Sequence, residues 1–502
     1  MNEPIMPGNR FVRLGEILHR AVGDPRILGA LIVLGAISRG LLYLAGTSYW
    51  YDEAFYLIPV YERSYAELLG PLPTQTIIPP VFLWIMKTCY LAAGPGVWAM
   101  RFPAIVAALA GLAVLVPTAR TLVGTPGCWW AGCLYALSAM GIIHSAEVRF
   151  YTIDALATML LLWAAGIRIR SATEDSRRAG AALLAFAILL PWMSFASVLV
   201  MGGVSFALML DAYPRQNRGR WLHWVAFNTL VLASTFIVWL IQARHMYYPG
   251  LIEHWRDSWD GFPRGYAPDV LVGWTWRRML SLCEYATLGV GTLILPLALL
   301  GAVGIWRESK AIFALLLAPI GITYVAALAT KYPFADRTVF FLTPCVYCLA
   351  AHGMLQVWQW LDGRRAWFGF VAIAVVLVIP FPRMITDGIL PRPRFEFRDA
   401  YAYLHQHRKP NDLVVAWCRP LYEAHVQYLF PEWPDDSIDE WEVREKAKTW
   451  VLDRPIWVVA PSFRVLDELI EPLLARGMSI GERHSFYMVD VVRLDPPATP
   501  KE

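Results

Sequence analysis

Apolar runs of roughly 17 to 22 residues recur along this chain, and each is long enough to cross a hydrocarbon core of about 30 Å as an α-helix. Of the 502 residues, 57% are hydrophobic and only 17% are charged, which is far from the composition of a soluble domain. The sequence therefore predicts a polytopic α-helical membrane protein with about eleven transmembrane helices. The predicted spans cover residues 27–46, 101–119, 128–143, 152–167, 179–193, 194–210, 221–242, 284–305, 311–330, 338–358 and 367–382.

The segment of residues 77–93 is also apolar, but two prolines stand near its start and Lys87 lies within it. If this segment does not cross the membrane, the short arginine-rich loops fall on the same side as the amino terminus, as the positive-inside rule requires. We therefore expect residues 47–100 to form one external segment with interfacial helices. Residues 1–26 are then a cytoplasmic tail, and no cleavable signal peptide is predicted before the first span.

One predicted external loop, residues 243–283, departs from this rule because it carries five arginines. We interpret them as a sign of anionic ligands on the external face, and Arg244 is a candidate for binding a phosphate. The net charge of the chain is only +4, which is too small to predict a nucleic-acid partner. The seven cysteines are scattered and form no disulfide framework, so we expect them to pack as small hydrophobic residues.

The composition changes after residue 382, where span-length apolar runs give way to charged residues, prolines and short apolar runs. Strands are predicted there at 413–417 and 456–460, and helices at 397–407 and 465–476. Alternating strands and helices favour an α/β layer. Residues 383–502 are therefore predicted to form an external soluble α/β domain with a lid, docking or structural role.

An adjacent pair of carboxylates, Asp52 and Glu53, follows the first predicted span in the stretch SYWYDEAFY. Ionised groups that cluster at the edge of the hydrocarbon usually mark function. If partial burial brings the pKa of Asp52 toward neutral pH, this carboxylate can act as a general base toward a hydroxyl. The structural alternative is a cap, because acidic residues are favoured in the first turn of a helix. Neighbouring helical residues face different ways, so we expect one carboxylate in a site and the other in a cap.

A second group of polar residues lies in the stretch HSAEVRFYTID, between the third and fourth predicted spans. His144, Glu147, Tyr151 and Asp154 recur at helical spacing and would share one face of a helix. A single histidine with loose carboxylates is weak support for a metal site, and none is predicted. Arg149 and Tyr151 are candidates for binding phosphate and sugar, although an aromatic and basic anchor at a helix end has the same composition.

The third group is the stretch KYPFADR, which opens the tenth predicted span on the external face. Lys331 and Arg337 suit a phosphate leaving group, since arginine forms paired hydrogen bonds to phosphate oxygens. Long basic side chains that reach from a span end to the interface are the ordinary alternative.

These stretches resemble those of the GT-C superfamily of polyprenyl-phosphate-sugar glycosyltransferases, nearest the protein O-mannosyltransferases and the lipid A aminoarabinose transferases. The resemblance covers roughly residues 30–360 and depends on the order of short motifs. They are WYDEAFY after the first span, two prolines before an interfacial helix, RFPA at the second span, AEVRFYTID, and ADRTVFFLTP near the end. The β-trefoil domain that protein O-mannosyltransferases carry as an insertion is not recognisable in this sequence.

The resemblance implies that Asp52 is the catalytic acidic residue and that Arg337 contacts the carrier phosphate. It also matches Asp154 to an acidic residue in the second external loop of some members, and Arg149 and Tyr151 to residues of others. Residues 27–382 would then form the catalytic transmembrane domain. Further expected site residues are Glu53 and Glu147 as supporting acids, Lys331 and Arg244 as phosphate ligands, and Tyr56 as a sugar or acceptor contact.

The function expected from this resemblance is the transfer of a sugar from a polyprenyl phosphate to a hydroxyl of a lipid, a glycan or a protein. The phosphate is already a good leaving group, so direct attack on the anomeric carbon would invert its configuration, with cationic side chains stabilising the departing charge. The expected location is the external, periplasmic face of a bacterial inner membrane. Whether a divalent cation such as Mg²⁺ or Mn²⁺ assists is left open.

Two other functions fit a chain with many spans. A flippase for lipid-linked sugars or another transporter would also need basic residues, but transporters usually place polar sites near the middle of the membrane. Here the ionisable residues gather at the external ends of the spans, which favours an enzyme. A scaffold that uses the external α/β domain to bind a partner is the third alternative.

Overall fold

The computed structural model of the protein describes residues 24–72, 77–171, 173–245, 250–360, 382, 384–389, 395–429, 437–446, 449–462 and 464–497. These residues form a bundle of long apolar helices, followed by a small sheet flanked by helices. The predicted fold class, a polytopic helical membrane protein with a carboxyl-terminal α/β domain, is confirmed. The exact limits of the domains, 1–26, 27–382 and 383–502, stay a prediction.

The helices of the bundle follow one another with short connections. The first seven are α1 (Pro25–Leu44), α2 (Tyr51–Glu62), α3 (Pro80–Ala93), α4 (Val97–Ala136), α5 (Ala139–Ile143), α6 (Tyr151–Arg170) and α7 (Glu174–Met193). The next seven are α8 (Ala196–Arg215), α9 (Arg218–Ile241), α10 (Gly250–Asp257), α11 (Pro268–Thr287), α12 (Gly291–Glu308), α13 (Lys310–Leu328) and α14 (Thr343–Trp360). A 3₁₀ segment at Asp336–Leu342 leads directly into α14.

Helix α4 is a hairpin of two spans. Its backbone leaves the helical conformation at Gly124, where φ is 79° and ψ is 176°. The two halves then pack against each other. Their contact is close at Gly111, where a Cβ atom would lie only 2.6 Å from the hydroxyl of Tyr135. A positive φ suits glycine. The two spans predicted at 101–119 and 128–143 are therefore both present.

Helix α3 lies within the apolar segment of residues 77–93, which was not expected to cross the membrane. Its 14 residues extend only about 21 Å at 1.5 Å per residue, short of the roughly 30 Å of a hydrocarbon core. Pro79 and Pro80 explain its start, since proline is tolerated in a first helical turn. Its length agrees with the expectation that residues 47–100 carry interfacial helices and no span.

Among the described residues, eight helices are long and apolar enough to cross a membrane. They include α4, which supplies two spans, while α7 covers the span predicted at 179–193 without reaching the same hydropathy. The span predicted at 367–382 lies almost entirely outside the described residues. The exact count of eleven therefore stays a prediction.

The loop expected at residues 243–283 contains two helices, α10 and the 20-residue α11, which is a correction to the prediction. Arg277 and Arg278 interrupt the apolar pattern of α11, so its sequence does not predict a membrane span. The next helix starts later than predicted for the span at 284–305, at Gly291, because a turn with positive φ at Leu288 and Gly289 separates the two.

The carboxyl-terminal domain is built on a five-stranded sheet with the order β2-β1-β3-β5-β4. Strand β1 pairs in parallel with β2 and β3, whereas β5 pairs antiparallel with β3 and β4. The predicted strands correspond to β1 and β3, and the predicted helices to α15 and α18. The elements are α15 (Phe397–His407), β1 (Leu413–Ala416), α16 (Arg419–Leu429), β2 (Ser437–Asp439), α17 (Glu440–Lys446), β3 (Ile456–Pro461), α18 (Arg464–Leu474), β4 (Ser479–Phe486) and β5 (Val489–Asp495).

This sheet domain packs on the external segment of the bundle through aromatic side chains. Tyr49 meets His425 of α16 edge to face at 5.6 Å between ring centroids, and Tyr51 meets Trp417 at 5.5 Å. Trp50 lies 4.7 Å from Phe395. Aromatic pairs of this geometry stabilise beyond the area they bury. The residues that precede Asp52 are therefore held from both sides.

Candidate active site

Asp52 stands in the first turn of α2, directly after the loop that leaves the membrane helix α1. Glu53 supplies the cap of this helix, because its Oε2 accepts the backbone N–H of Trp50 at 2.7 Å. The side chain of Asp52 is therefore free to point elsewhere. This division of roles between neighbouring carboxylates agrees with the expectation from the sequence.

The carboxylate of Asp52 lies between two arginines from distant parts of the chain. Its Oδ2 is 2.7 Å from Nη2 of Arg149 and 2.5 Å from Nη1 of Arg337, a residue 285 positions away. Charge-assisted hydrogen bonds of this kind are among the strongest in proteins. The structure thus brings together three of the residues that the sequence marked separately.

The two arginines hold Asp52 in its charged form. Burial raises the pKa of this carboxyl, but Arg149 and Arg337 outweigh that effect, so the pKa lies below the ordinary value of 3.8. The expectation of a pKa near neutral pH is wrong for a carboxylate that binds two guanidinium groups. Burial and the charge of Asp52 raise the pKa of Tyr51 to about 12, which keeps that phenol protonated and able to donate to Asp52.

Aromatic rings surround both guanidinium groups. Arg149 donates to the hydroxyl of Tyr56 at 2.7 Å, and its guanidinium carbon lies 4.5 Å from the centroid of that ring and 5.9 Å from that of Tyr151. Arg337 lies 5.1 Å from the ring of Trp259 and 5.7 Å from that of Trp255. Such cation–π contacts position a guanidinium without neutralising its charge. The predicted contacts Tyr56 and Tyr151 therefore belong to this site, which we call the Asp52 cluster.

Glu53 belongs to a separate, buried ion pair. Its two oxygens accept Nε and Nη2 of Arg101 at 3.2 and 2.9 Å, and Oε1 also accepts the backbone N–H of Val148 at 2.6 Å. Both side chains are 3% exposed. Arg101 donates further to the backbone carbonyls of Thr47 and Ser48. The expected supporting acid Glu53 thus fastens the loop before Asp52 to α4.

His144 and Glu147 form a hydrogen-bonded chain beside the Asp52 cluster. Oε2 of Glu147 lies 2.8 Å from Nδ1 of His144, whose Nε2 lies 2.7 Å from the hydroxyl of Tyr285. The ring of His144 also meets Tyr151 at 4.9 Å. Residues 144–146 form one 3₁₀ turn and Glu147 is extended, so the single helical face predicted for residues 144–154 is not formed.

Asp154 is buried away from these hydrogen bonds. It lies in the first turn of α6 and is 3% exposed. Its carboxylate contacts Ser194, while its Oδ1 atom has no hydrogen-bond partner. The structure does not bring this predicted supporting acid into contact with Asp52.

We expect Asp154→Asn to keep at least about a third of the transfer activity, because a neutral amide replaces a carboxylate whose buried oxygen lacks a donor. Initial rates and thermal midpoints of the purified variant check this. A loss of activity beyond tenfold at unchanged stability would instead assign Asp154 a direct role.

Two predicted phosphate ligands lie outside the Asp52 cluster. Lys331 is exposed and makes no ion pair with another described residue. Arg244 is also exposed, and its Nε faces His245 at 2.9 Å. Both follow the ends of apolar helices, where long basic side chains commonly reach toward water. Arg39, a charged residue within the membrane helix α1, is fully buried and donates to the carbonyls of Gly35, Tyr135 and Ala136, so its role is structural.

Four residues of the site were missed in the sequence or left without a role: Arg101, Trp255, Trp259 and Tyr285. Arg101 stands in the quoted motif RFPA, Trp255 and Trp259 lie in the region predicted as a loop, and Tyr285 lies at the start of the span predicted at 284–305. An adjacent WRDSW stretch was a usable signal, since tryptophan is enriched where a ring meets water and membrane together. In the described residues, no three histidine, cysteine or acidic side chains stand close enough to form a metal site.

Comparisons with known proteins agree with this fold. Residues 78–239 match the family described as dolichyl-phosphate-mannose-protein mannosyltransferase. The crystal structure of ArnT from Cupriavidus metallidurans bound to undecaprenyl phosphate has a TM-score of 0.57 and 13% identity, over 93% of this chain and 98% of that one. The Archaeoglobus fulgidus oligosaccharyltransferase, tethered with an acceptor peptide, has a TM-score of 0.55 and 11% identity, over 92% and 73%.

No curated protein sequence matches this chain significantly. At identities this low, the solved structures show the fold alone. The arrangement of helices and the matched segment confirm the resemblance stated from the sequence motifs. The chain is an integral membrane protein whose fold is that of the GT-C glycosyltransferases, similar to ArnT and to the archaeal oligosaccharyltransferase.

Proposed function

We propose that this protein is a glycosyltransferase that moves a sugar from a polyprenyl phosphate to an acceptor hydroxyl at the external face of the membrane. The observation that carries the proposal is the position of Asp52 between Arg149 and Arg337, where the external helix α2 meets the ends of membrane helices. Two guanidinium groups that converge on one anion are suited to a phosphate. The family match and the fold support a lipid-linked donor of this kind.

The phosphate of the donor would compete with Asp52 for the two arginines. Arg337 is 22% exposed in its side chain and retains a buried Nε without a partner, so it has hydrogen-bonding capacity to offer. When the arginines turn to the phosphate, the cationic influence on Asp52 weakens while its burial remains. The pKa of Asp52 then rises, and the carboxylate becomes a better base after the donor is bound.

The transfer step needs only these groups. The acceptor oxygen bonds to the anomeric carbon as the bond from that carbon to the phosphate oxygen breaks, and the electron pair leaves with the phosphate. The proton of the acceptor hydroxyl passes to Asp52. Arg149 and Arg337 stabilise the departing phosphate. Attack from the side opposite the phosphate inverts the configuration of the sugar.

The remaining parts of the proposal concern setting and partners. We propose the periplasmic face of a bacterial inner membrane, a cytoplasmic amino terminus, and an acceptor that is a lipid, a glycan or a protein. Mg²⁺ or Mn²⁺ assistance is open to test by chelation. A flippase is disfavoured by Arg39, because this arginine within the membrane helix α1 donates to three backbone carbonyls and so has a structural role.

The test is a transfer assay with purified protein in vesicles of phosphatidylethanolamine and phosphatidylglycerol. A panel of polyprenyl phosphates carrying different hexoses and pentoses is supplied with an extract of envelope lipids and glycans, and mass spectrometry detects the product. We expect one donor to lose its sugar to one acceptor class. Movement of intact donor across the vesicle membrane, without transfer, would support the flippase and contradict the enzyme.

Arg337→Lys is expected to weaken donor binding about tenfold, or about 1.4 kcal/mol, because an ammonium offers no planar fork and does not stack between two tryptophans. Titration of the protein with undecaprenyl phosphate, followed by tryptophan fluorescence, measures this. Arg244→Lys is the matched control, since Arg244 is exposed outside the Asp52 cluster. Equal losses in both variants would contradict the assignment of the phosphate site.

A further inference from the structure

The chain of Glu147, His144 and Tyr285 has no part in the transfer step described above. Its two contacts of 2.8 and 2.7 Å are short enough for hydrogen bonds that orient all three groups. His144 is 3% exposed, and its ring is held edge to face by Tyr151 and Phe340, each at 4.9 Å. We call these residues the Glu147 relay.

The direction of the hydrogen bonds in the Glu147 relay follows from its carboxylate. An ionised carboxylate only accepts, so the proton of a neutral imidazole must lie on Nδ1 of His144. Nε2 is then an acceptor, and Tyr285 must donate its proton to it. The phenol oxygen of Tyr285 then has only lone pairs left for other partners, which makes it a binding point for a hydrogen-bond donor and unsuited to a phosphate oxygen.

The Glu147 relay adjoins the Asp52 cluster. Tyr151 contacts the ring of His144 on one side and lies under Arg149 on the other. Tyr285 is within electrostatic reach of Arg337, which binds Asp52. Trp255 and Trp259, next to Arg337, provide flat apolar surfaces of the kind on which sugar rings pack. A hydroxyl-bearing ring attached to a phosphate at the two arginines would therefore lie near Tyr285.

Building on the proposed function, we infer that Tyr285 binds a hydroxyl of a substrate sugar, and that His144 and Glu147 are positioning residues that keep its oxygen an acceptor. An amide in place of the Glu147 carboxylate would reverse this polarity, because it can donate to Nδ1 of His144, whose Nε2 would then carry the proton and donate to Tyr285. The titratable and charged groups around the relay are Tyr151 from α6, Tyr285 from α11, Asp336 and Arg337 from the 3₁₀ segment, and Arg101 and Arg149 near Glu147.

The test compares the donor that supports transfer with bare undecaprenyl phosphate. Tyr285→Phe should weaken the sugar-bearing donor about tenfold and leave bare undecaprenyl phosphate within twofold, since one hydrogen bond to the sugar is lost. Glu147→Gln, whose amide can donate to Nδ1 of His144, should weaken the sugar-bearing donor in the wild type and should have no further effect in the Tyr285→Phe background.

Two further arms complete the experiment. If the hydroxyl belongs to the acceptor, Tyr285→Phe will raise the KM for acceptor and leave donor binding unchanged, which also supports the inference and names the partner. Tyr266→Phe is the control, because Tyr266 is an exposed phenol that donates to the carbonyl of Leu328 and touches none of the residues of the relay. Unchanged binding and KM in Tyr285→Phe, or an equal loss for bare undecaprenyl phosphate, overturns the inference. Absence of transfer from every donor overturns the proposed function instead.

Discussion

Replacing Asp52 by Asn should lower the rate of sugar transfer by about 10³-fold, because the variant keeps the shape of the side chain and loses its capacity to take a proton. Binding of undecaprenyl phosphate should not fall with it. Asp52 competes with phosphate for Arg149 and Arg337, so its neutralisation removes a competing anion. We expect the phosphate to bind severalfold more tightly, in contrast to the weaker binding of Arg337→Lys.

The control for this variant exists in the same chain. Asp211 is another buried carboxylate between two arginines, Arg215 and Arg220, and it lies at the opposite end of the bundle. Asp211→Asn makes the same chemical change outside the site and should keep transfer within about threefold of the wild type. Single-turnover rates and phosphate titrations measure both effects. Transfer by Asp52→Asn at a tenth of the wild-type rate or more would end the assignment of Asp52 as the base.

Local sequence was enough to mark Asp52, Arg149 and Arg337 as candidates. Each belongs to a short polar stretch at the end of an apolar run, where charge is costly and therefore informative. Their meeting at one oxygen depends on how distant helices pack. The pKa of Asp52 was predicted in the wrong direction for that reason, since burial could be inferred from the sequence and the two arginine partners could not.

The membrane helices were predictable because the thickness of the bilayer fixes the length of an apolar run. Helix α11 was not, since Arg277 and Arg278 break its hydropathy although its 20 residues are helical. Tyr285 near its end was missed along with it. Strand β4 was missed as well, because it is exposed along most of its length and lacks an apolar pattern.

Glu53→Gln makes the same acid-to-amide change one residue later and should act on stability rather than on chemistry. Breaking a buried ion pair by neutralising one partner typically costs about 3 to 5 kcal/mol, because the other charge stays buried without compensation. Here that charge is Arg101, whose side chain is 3% exposed. Asp52 differs because Arg337 beside it is 22% exposed, so water or phosphate can replace the carboxylate. The second partner, Arg149, is only 8% exposed but keeps its hydrogen bond to the hydroxyl of Tyr56. Thermal unfolding in detergent should therefore show a larger drop for Glu53→Gln than for Asp52→Asn.

A second substitution separates the ion pair from the other hydrogen bonds of Glu53. Arg101→Met in the Glu53→Gln background removes the stranded charge and should recover part of the lost stability, although the carbonyls of Thr47 and Ser48 lose their donor. Glu174→Gln breaks the exposed pair with Arg178, 67% and 75% exposed, and should leave the unfolding midpoint unchanged. If Glu53→Gln is as stable as Glu174→Gln but inactive, then Glu53 takes part in the chemistry, and the division of roles between the two neighbouring carboxylates is wrong.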